Sequence, residues 1–216
     1  MIYLKPFKNI IAKLSHLNTC KILMKRRKIA YKPTNVSRFL HNMEYISLYN
    51  SPLGEMTLAS DEKNLTGLWF NGQKYDKDVL DKEVCEKPLP IFDETKKWLD
   101  IYFSGECPNF TPPIHIKSTG FRKEVAEIML TIPYGKTMTY GEIANKISKQ
   151  RNIEKMSAQA VGGAVGHNSI SIIIPCHRVV GSNGKLTGYA GGLNRKIKLL
   201  SLEKSNLFQQ IIKNDK

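Results

Sequence analysis

Residues 172–180 read Ile-Ile-Ile-Pro-Cys-His-Arg-Val-Val, and the rest of the chain is organised around this stretch. The β-branched run from Ser169 to Ile174 predicts a short buried strand or extended segment. Pro175 has no amide proton and ends such a segment, so we expect Cys176 directly after its C-terminal end.

Cys176 is followed by two residues that could activate it. His177 is a candidate base, and Arg178 supplies a fixed positive charge. The thiolate is the reactive form of cysteine. A positive charge nearby stabilises the thiolate and would therefore lower the pKa of the Cys176 thiol. The alternative is a buried cysteine that packs as a small apolar residue, as free cysteines commonly do. These residues alone support both interpretations equally.

The composition is typical of a globular protein with one domain or two small ones, since the chain has 216 residues of which 41% are hydrophobic. Its four cysteines are widely spaced and form neither a disulfide framework nor a zinc ribbon, which fits a reducing cytosol. We therefore expect a cytoplasmic protein. We also expect a monomer without a metal or another cofactor. No apolar run approaches the roughly 20 residues of a membrane helix, so we expect no membrane partner. The cysteines are Cys20, Cys85, Cys107 and Cys176.

The net charge of +14 is concentrated at the start of the chain. Residues 1–43 contain ten Lys or Arg and no acidic residue, which leaves 23 basic and 19 acidic residues in the remainder. We expect residues 1–43 to be a basic extension outside the folded domains. Three interpretations stay open: a DNA-binding arm, a targeting peptide, or a poorly ordered extension without a specific role.

Residues 44–117 are predicted to form a small N-terminal α+β domain. Strand-like runs at 45–48, 54–59 and 65–70 are separated by turn sequences and predict an antiparallel meander. A helix is predicted over residues 93–103, with Gly105 at its end. No pattern typical of a catalytic site occurs in this half, so its histidine and cysteines are interpreted as incidental.

Residues 118–206 are predicted to form a mostly helical C-terminal domain, followed by a tail at 207–216. Helices are expected at 121–130, at 140–147 with Thr139 and Glu142 as a capping box, and at 158–165. The last two form a candidate helix-turn-helix, although any pair of packed helices gives a similar pattern. A final helix, capped by Asn194, runs to Lys204. Glu203 near its end opposes the helix dipole and needs a partner or water.

Three segments of this half, 157–168, 172–180 and 188–203, resemble the O6-alkylguanine-DNA alkyltransferases, also called methylated-DNA–protein-cysteine methyltransferases. The resemblance is carried by Pro-Cys-His-Arg, preceded by the small-residue helix and followed by Gly-Tyr-x-Gly-Gly and Leu-Leu-x-Leu-Glu. Each motif is weak alone, but their order and spacing are specific. Residues 44–113 look like the N-terminal domain of that family, and residues 1–43 lie outside the resemblance.

The resemblance implies irreversible transfer of the alkyl group from O6-alkylguanine, chiefly O6-methylguanine, in double-stranded DNA to Cys176. The nucleotide would be flipped into a pocket for this step. His177 would act as the base through a water, and Glu203 would orient His177. Since water does not hydrolyse a thioether, the protein would act once. The alternatives are a non-catalytic sensor that binds alkylated DNA, and a cysteine hydrolase, which would turn over.

The resemblance also implies roles for residues that contact DNA. Tyr140 would help to swing the nucleotide out, Tyr189 would form the pocket wall, and Asn168 would link the recognition helix, which enters the minor groove, to the cysteine segment. The alternatives are core tyrosines and, for Glu203, a solvated helix end. Many members have arginine where this chain has Gln159, so we expect weaker and less salt-sensitive DNA binding. Further substrate- or DNA-binding candidates are Ala160, Gly162, Arg178, Val179 and Ala190.

Overall fold

The structure, a computed structural model, describes residues 44–74 and 84–205 together with the backbone of residues 21 and 22. The predictions for the rest of the basic extension and for the tail at 207–216 lie outside the described residues.

The first half of the chain forms a five-stranded sheet with the order β1-β5-β2-β3-β4. The predicted antiparallel meander of β2, β3 and β4 is confirmed, and Met56 pairs with Phe70 across its last two strands. In addition, β5 pairs with β2 in parallel after the connection of residues 71–83, which the sequence did not predict. Cys85 in β5 is disulfide-bonded, which was not expected from the wide cysteine spacing. The strands are β1 (Lys21–Ile22), β2 (Glu44–Ser51), β3 (Gly54–Ser60), β4 (Leu65–Phe70) and β5 (Val84–Glu86).

One long helix, α1 (Pro90–Phe103), packs on this sheet. It begins three residues earlier than predicted, because Pro90 occupies the first helical position, where a missing amide proton costs nothing. It ends before Gly105, whose φ of 90° lies in the left-handed region that follows many helices. Its buried face carries Trp98, Leu99 and Tyr102.

The described residues of the second half form four α-helices and a short parallel pair of strands. The capping box is present at the start of α3, where the amide of Glu142 donates to Thr139 Oγ1 over 3.1 Å and Glu142 Oε2 accepts from the amide of Thr139. Helices α3 and α4 contact each other, as a helix-turn-helix requires, and α2 packs on both. The elements are α2 (Phe121–Leu130), β6 (Met138–Thr139), α3 (Tyr140–Gln150), α4 (Ala158–Gly166), β7 (Val179–Val180) and α5 (Leu193–Leu202).

Two local predictions are wrong. The apolar run before Cys176 is buried, but it forms a turn rather than a strand, because only Ile170 bridges to β4. Within the turn Ile172 has a φ of 69°, an unusual conformation for a β-branched residue. Asn194 does not cap the last helix, since Gly192 holds the cap position and Asn194 lies inside the first turn.

A single hydrophobic cluster joins the two halves. It contains Phe70 and Leu99 from the first half and Val125, Ile143 and Leu199 from the second. Cys176 belongs to the same cluster, so the site lies where the two halves pack together. Every helix of the described residues is too short or too polar to cross a membrane.

Candidate active site

Cys176 opens a 3₁₀ turn, Cys176–Arg178, directly after Pro175. Its thiol is free and only 4% exposed. Burial raises the pKa of the thiol, although a hydrogen bond from Asn168 and the charge of Lys196 oppose this shift. The resting group is therefore a thiol. A neighbouring positive charge does act to lower this pKa, but it belongs to Lys196, and desolvation is the larger effect.

Asn168 ties the end of α4 to the cysteine segment. Its amide nitrogen lies 3.1 Å from Cys176 Sγ and 2.8 Å from the carbonyl oxygen of Ile174. Its side-chain oxygen accepts from the amide of Ile170 over 3.1 Å. This is the linking geometry that the family resemblance implies for Asn168.

Behind Cys176, His177 and Glu203 form a buried pair. His177 Nε2 lies 2.7 Å from Glu203 Oε1, and neither side chain is exposed. Burial lowers the pKa of His177 against the attraction of Glu203, so the imidazole is neutral. We assign the proton to Nε2, which donates to Glu203. The other nitrogen, Nδ1, is buried without a hydrogen-bond partner and can accept a proton.

Glu203 receives the partners that its place at the end of α5 demands. Arg178 Nε lies 2.9 Å from one carboxylate oxygen, and the amide of Gly135 donates to the same oxygen over 3.0 Å. The hydroxyl of Tyr102 donates to the other oxygen over 2.7 Å. Burial alone would raise the pKa of Glu203, but the hydrogen bonds from His177 and Arg178 and the charge of Arg178 lower it to about 2. Glu203 is therefore an anion at neutral pH.

Arg178 does not lie where the sequence predicted. It was expected among the DNA-binding residues, but its guanidinium is buried in an ion pair with Glu203 and donates to the carbonyl oxygen of Ile132 over 2.7 Å. A guanidinium in this position has no free face for DNA. Its charge also disfavours the protonated form of His177.

In front of Cys176 is an open cavity of about 750 Å³, large enough for a nucleobase. Tyr140 lies at the start of α3, and its hydroxyl accepts from Thr187 over 3.0 Å. The buried Tyr189 hydroxyl has the side chain of Ser171 nearby but makes no hydrogen bond of normal geometry. The predicted residues that line this cavity with Cys176 are Tyr140, Gln159, Gly162, Tyr189 and Ala190.

Besides Asn168 and Arg178, two further predicted contact residues lie outside the cavity lining. Ala160 is exposed on α4, and Val179 is buried in β7 with its carbonyl oxygen 2.6 Å from the ammonium of Lys196. Lys196 itself is fully buried, and burial lowers its pKa to about 8. It was not predicted, although it precedes the buried Leu199 and Leu200 by one helical turn and so lies on the same face.

Tyr102 was also missed, since the sequence shows it only as an apolar position of α1. The described residues contain no group of three or more histidine, cysteine or acidic side chains that could hold a metal ion.

Comparison with known proteins identifies the family. Residues 120–205 match "6-O-methylguanine DNA methyltransferase, DNA binding domain", and residues 45–116 match "6-O-methylguanine DNA methyltransferase, ribonuclease-like domain". The chain belongs to the 6-O-methylguanine DNA methyltransferase family. The resemblance inferred from its motifs is thereby confirmed.

Other members of the 6-O-methylguanine DNA methyltransferase family are similar over most of the chain. The methylated-DNA–protein-cysteine methyltransferase of Mycobacterium tuberculosis is 45% identical over 157 residues, which are 72% of this chain and 90% of that protein. The protein of the same name from Methanosarcina acetivorans is 42% identical over 161 residues, 74% of this chain and 99% of that one.

Solved structures agree with the fold. The crystal structure of Mycobacterium tuberculosis OGT in complex with DNA has a TM-score of 0.64 and 39% identity, and it covers 78% of this chain and 99% of that one. A crystal structure of the O6-methylguanine methyltransferase of the same organism has a TM-score of 0.64 and 41% identity, with 75% and 93% covered. The predicted α+β class, with a sheet region followed by a helical region, is confirmed.

Proposed function

We propose that this protein repairs DNA by transferring the alkyl group of O6-alkylguanine, chiefly O6-methylguanine, to Cys176. The observation that carries the proposal is the position of the free Cys176 thiol between a nucleobase-sized cavity and the buried His177–Glu203 pair. Family membership supports it, as do the name of the 45% identical relative and the crystallisation of Mycobacterium tuberculosis OGT with DNA.

In the proposed reaction the thiol first loses its proton. The proton passes through a water to Nδ1 of His177, and the anionic Glu203 stabilises the resulting imidazolium. The sulfur then attacks the alkyl carbon, an S–C bond forms, and the bond between that carbon and O6 breaks. Its electron pair goes to guanine, which takes up one proton. The Cys176 thioether persists, so each molecule reacts once.

The residues in front of Cys176 would bring the alkylated nucleotide to the thiol. We propose that Tyr140 helps to extrude the nucleotide, that Tyr189 packs against the extruded base, and that Gln159 enters the gap left in the duplex. α4 would enter the minor groove, where Ala160 and Gly162 permit close approach. The backbone at Ala190, which lines the cavity, would contact the base. Residues 44–117 and 118–206 are proposed as the two domains of a cytoplasmic monomer acting on double-stranded DNA.

The test is mass spectrometry of the protein after incubation with a duplex oligonucleotide that contains O6-methylguanine. We expect one methyl group on the peptide that contains Cys176, at one equivalent and without turnover. The Cys176→Ser variant should stay unmodified, and Cys107→Ser, at the exposed free cysteine, should react like the wild type. An unmodified wild type that still binds the lesion would indicate a sensor, and repeated turnover would indicate a hydrolase.

A further inference from the structure

The N-terminal half contributes one polar atom to the buried pair behind Cys176. Tyr102, in the last turn of α1, is fully buried, and its hydroxyl donates to Glu203 Oε1 over 2.7 Å. The same hydroxyl lies 3.4 Å from His177 Nε2. The half of the chain in which the sequence shows no catalytic pattern therefore reaches the site.

The N-terminal core fixes the position of this hydroxyl. The Tyr102 ring stacks on Trp98, with centroids 5.4 Å apart and an angle of 7° between the rings. Phe103 packs edge-on against it at 5.4 Å, and Tyr134 of the second half does so at 6.0 Å. Rings packed in this way restrict rotation of the Tyr102 side chain, so its hydroxyl donates to Glu203 from a fixed position.

A fixed point is needed because Arg178 competes for the same carboxylate. Its guanidinium contacts both oxygens of Glu203, with Nη2 3.0 Å from Oε1 and Nε 2.9 Å from Oε2. The guanidinium attracts both oxygens, and its attraction for Oε1 acts against the contact between Oε1 and His177. A neutral donor on Oε1 helps to hold this oxygen in place without adding charge.

We propose that Tyr102 is a positioning residue of the alkyl-transfer site and holds Glu203 Oε1 against His177. This inference rests on the proposed function. A second contact between the halves supports it: the amide of Leu68 in β4 donates to Ser169 over 2.8 Å, and the amide of Ser171 donates to Leu68 over 2.7 Å. The N-terminal half thus contacts both the His177–Glu203 pair and the segment that leads to Cys176.

The effect of Tyr102 on pH dependence follows from the groups around it. Glu203, Arg178 and Tyr189 act on its hydroxyl, and burial raises the pKa of Tyr102 well above the ordinary value, so it stays a donor. Lys196 and Arg178 oppose protonation of His177. Without the Tyr102 hydroxyl, Oε1 is held less firmly against His177 and stabilises the imidazolium less. The acid limb of the rate profile should then move to lower pH.

The decisive variant is Tyr102→Phe, with Tyr49→Phe as the matched control. The Tyr49 hydroxyl also donates to a carboxylate oxygen, Asp100 Oδ1, over 2.8 Å, and its ring packs on the same helix. It makes no contact with the His177–Glu203 pair. With an O6-methylguanine duplex we expect Tyr102→Phe to transfer about tenfold more slowly, the order of one hydrogen bond to a charged group. DNA affinity should not change, and the acid limb should move to lower pH. Tyr49→Phe should match the wild type in all three measurements.

A double-mutant cycle separates positioning from a general loss of stability. If Tyr102 acts through Glu203, Tyr102→Phe should have no further effect in a Glu203→Gln background. Additive losses, or a Tyr102→Phe rate and pH profile equal to those of the wild type, would overturn the proposal. Alkylation of Cys176 by iodoacetamide, followed over pH without DNA, gives an independent readout. A shifted iodoacetamide profile in a protein inert toward O6-methylguanine would sink the proposed function and keep the positioning role.

Discussion

The two sides of Cys176 are built in opposite ways. Behind it, His177, Glu203 and Arg178 are buried and held by short hydrogen bonds. In front of it, Gln159 and Gly162 line an open cavity on a helix of small residues. The buried side determines whether the thiol can lose its proton, and the open side determines whether an alkylated base reaches it. Substitutions should therefore act through chemistry and stability behind Cys176, and through delivery of the lesion in front of it.

The largest effect is expected for Glu203→Gln. The neutral amide leaves the buried Arg178 charge without a counterion and no longer stabilises an imidazolium at His177. We expect the single-turnover rate to fall at least a hundredfold and the free energy of unfolding to fall by about 3–5 kcal/mol. Rapid-quench assays and urea unfolding measure the two quantities.

Glu124→Gln is the matched control, since Glu124 also makes a two-pronged pair with an arginine, Arg151, but on the surface. Loss of an exposed pair should cost less than about 1 kcal/mol and leave the rate unchanged. Equal losses of unfolding free energy in Glu203→Gln and Glu124→Gln would show that burial does not make the Glu203–Arg178 pair more important than the Glu124–Arg151 pair.

The pH dependence of stability is the next largest effect. The pKa of His177 is lowered in the folded protein, so below its ordinary value of 6.5 the unfolded chain binds a proton that the native protein does not. The pKa of Glu203 is lowered from 4.5 to about 2, so its contribution is full above pH 4.5 and is lost as the pH falls toward 2. That second loss should be on the order of 3 kcal/mol. Urea unfolding at stepped pH should show both losses in the wild type and only the first in Glu203→Gln.

On the open side, Gly191→Ala should displace the wall of the cavity. A Cβ at this position would lie 2.7 Å from Tyr189 Cε1 and 3.2 Å from Phe70 Cδ2, so the Tyr189 ring must move. We expect about a tenfold slower transfer, because a small displacement of a substrate-positioning group weakens alignment for the reaction. Reactivity toward iodoacetamide should stay at the wild-type level. Gly188→Ala, in the same loop, places its Cβ more than 4 Å from residues other than its chain neighbours, so it should leave the Tyr189 ring in place and the reactivity toward iodoacetamide unchanged.

Much of the fold could be predicted from the sequence because local signals agree with tertiary packing. The capping box at Thr139 and Glu142 marked α3, and helical spacing marked α2. The turn at Ile172 could not be predicted, because a β-branched run favours extended backbone. Its form depends on the hydrogen bonds that Ser169 and Ser171 make with Leu68, a residue distant in sequence.

The site residues were also predictable where a local motif marks them, and not where a distant contact determines their role. The motif residues Cys176, His177 and Glu203 were predicted, and the structure brings His177 and Glu203 together. Tyr102 could not be predicted, because it lies 101 positions before Glu203 and looks like any buried aromatic residue. Arg178 was misplaced on the DNA side, since a sequence shows a positive charge but not the buried carboxylate that attracts it.

The smallest effect is expected for Gln159→Arg, on the exposed face of the cavity. Arginine is longer, charged and able to stack, so it should fill the gap left by an extruded base better than glutamine does. We expect DNA to bind a few-fold more tightly, with a salt slope steeper by up to about 0.9 if the guanidinium contacts one phosphate. Gln150→Arg adds the same charge at the exposed far end of α3 and controls for general attraction. Fluorescence anisotropy over a salt series separates the two variants. Equal tightening in both would assign the effect to net charge, and no change in Gln159→Arg would remove position 159 from the recognition of DNA.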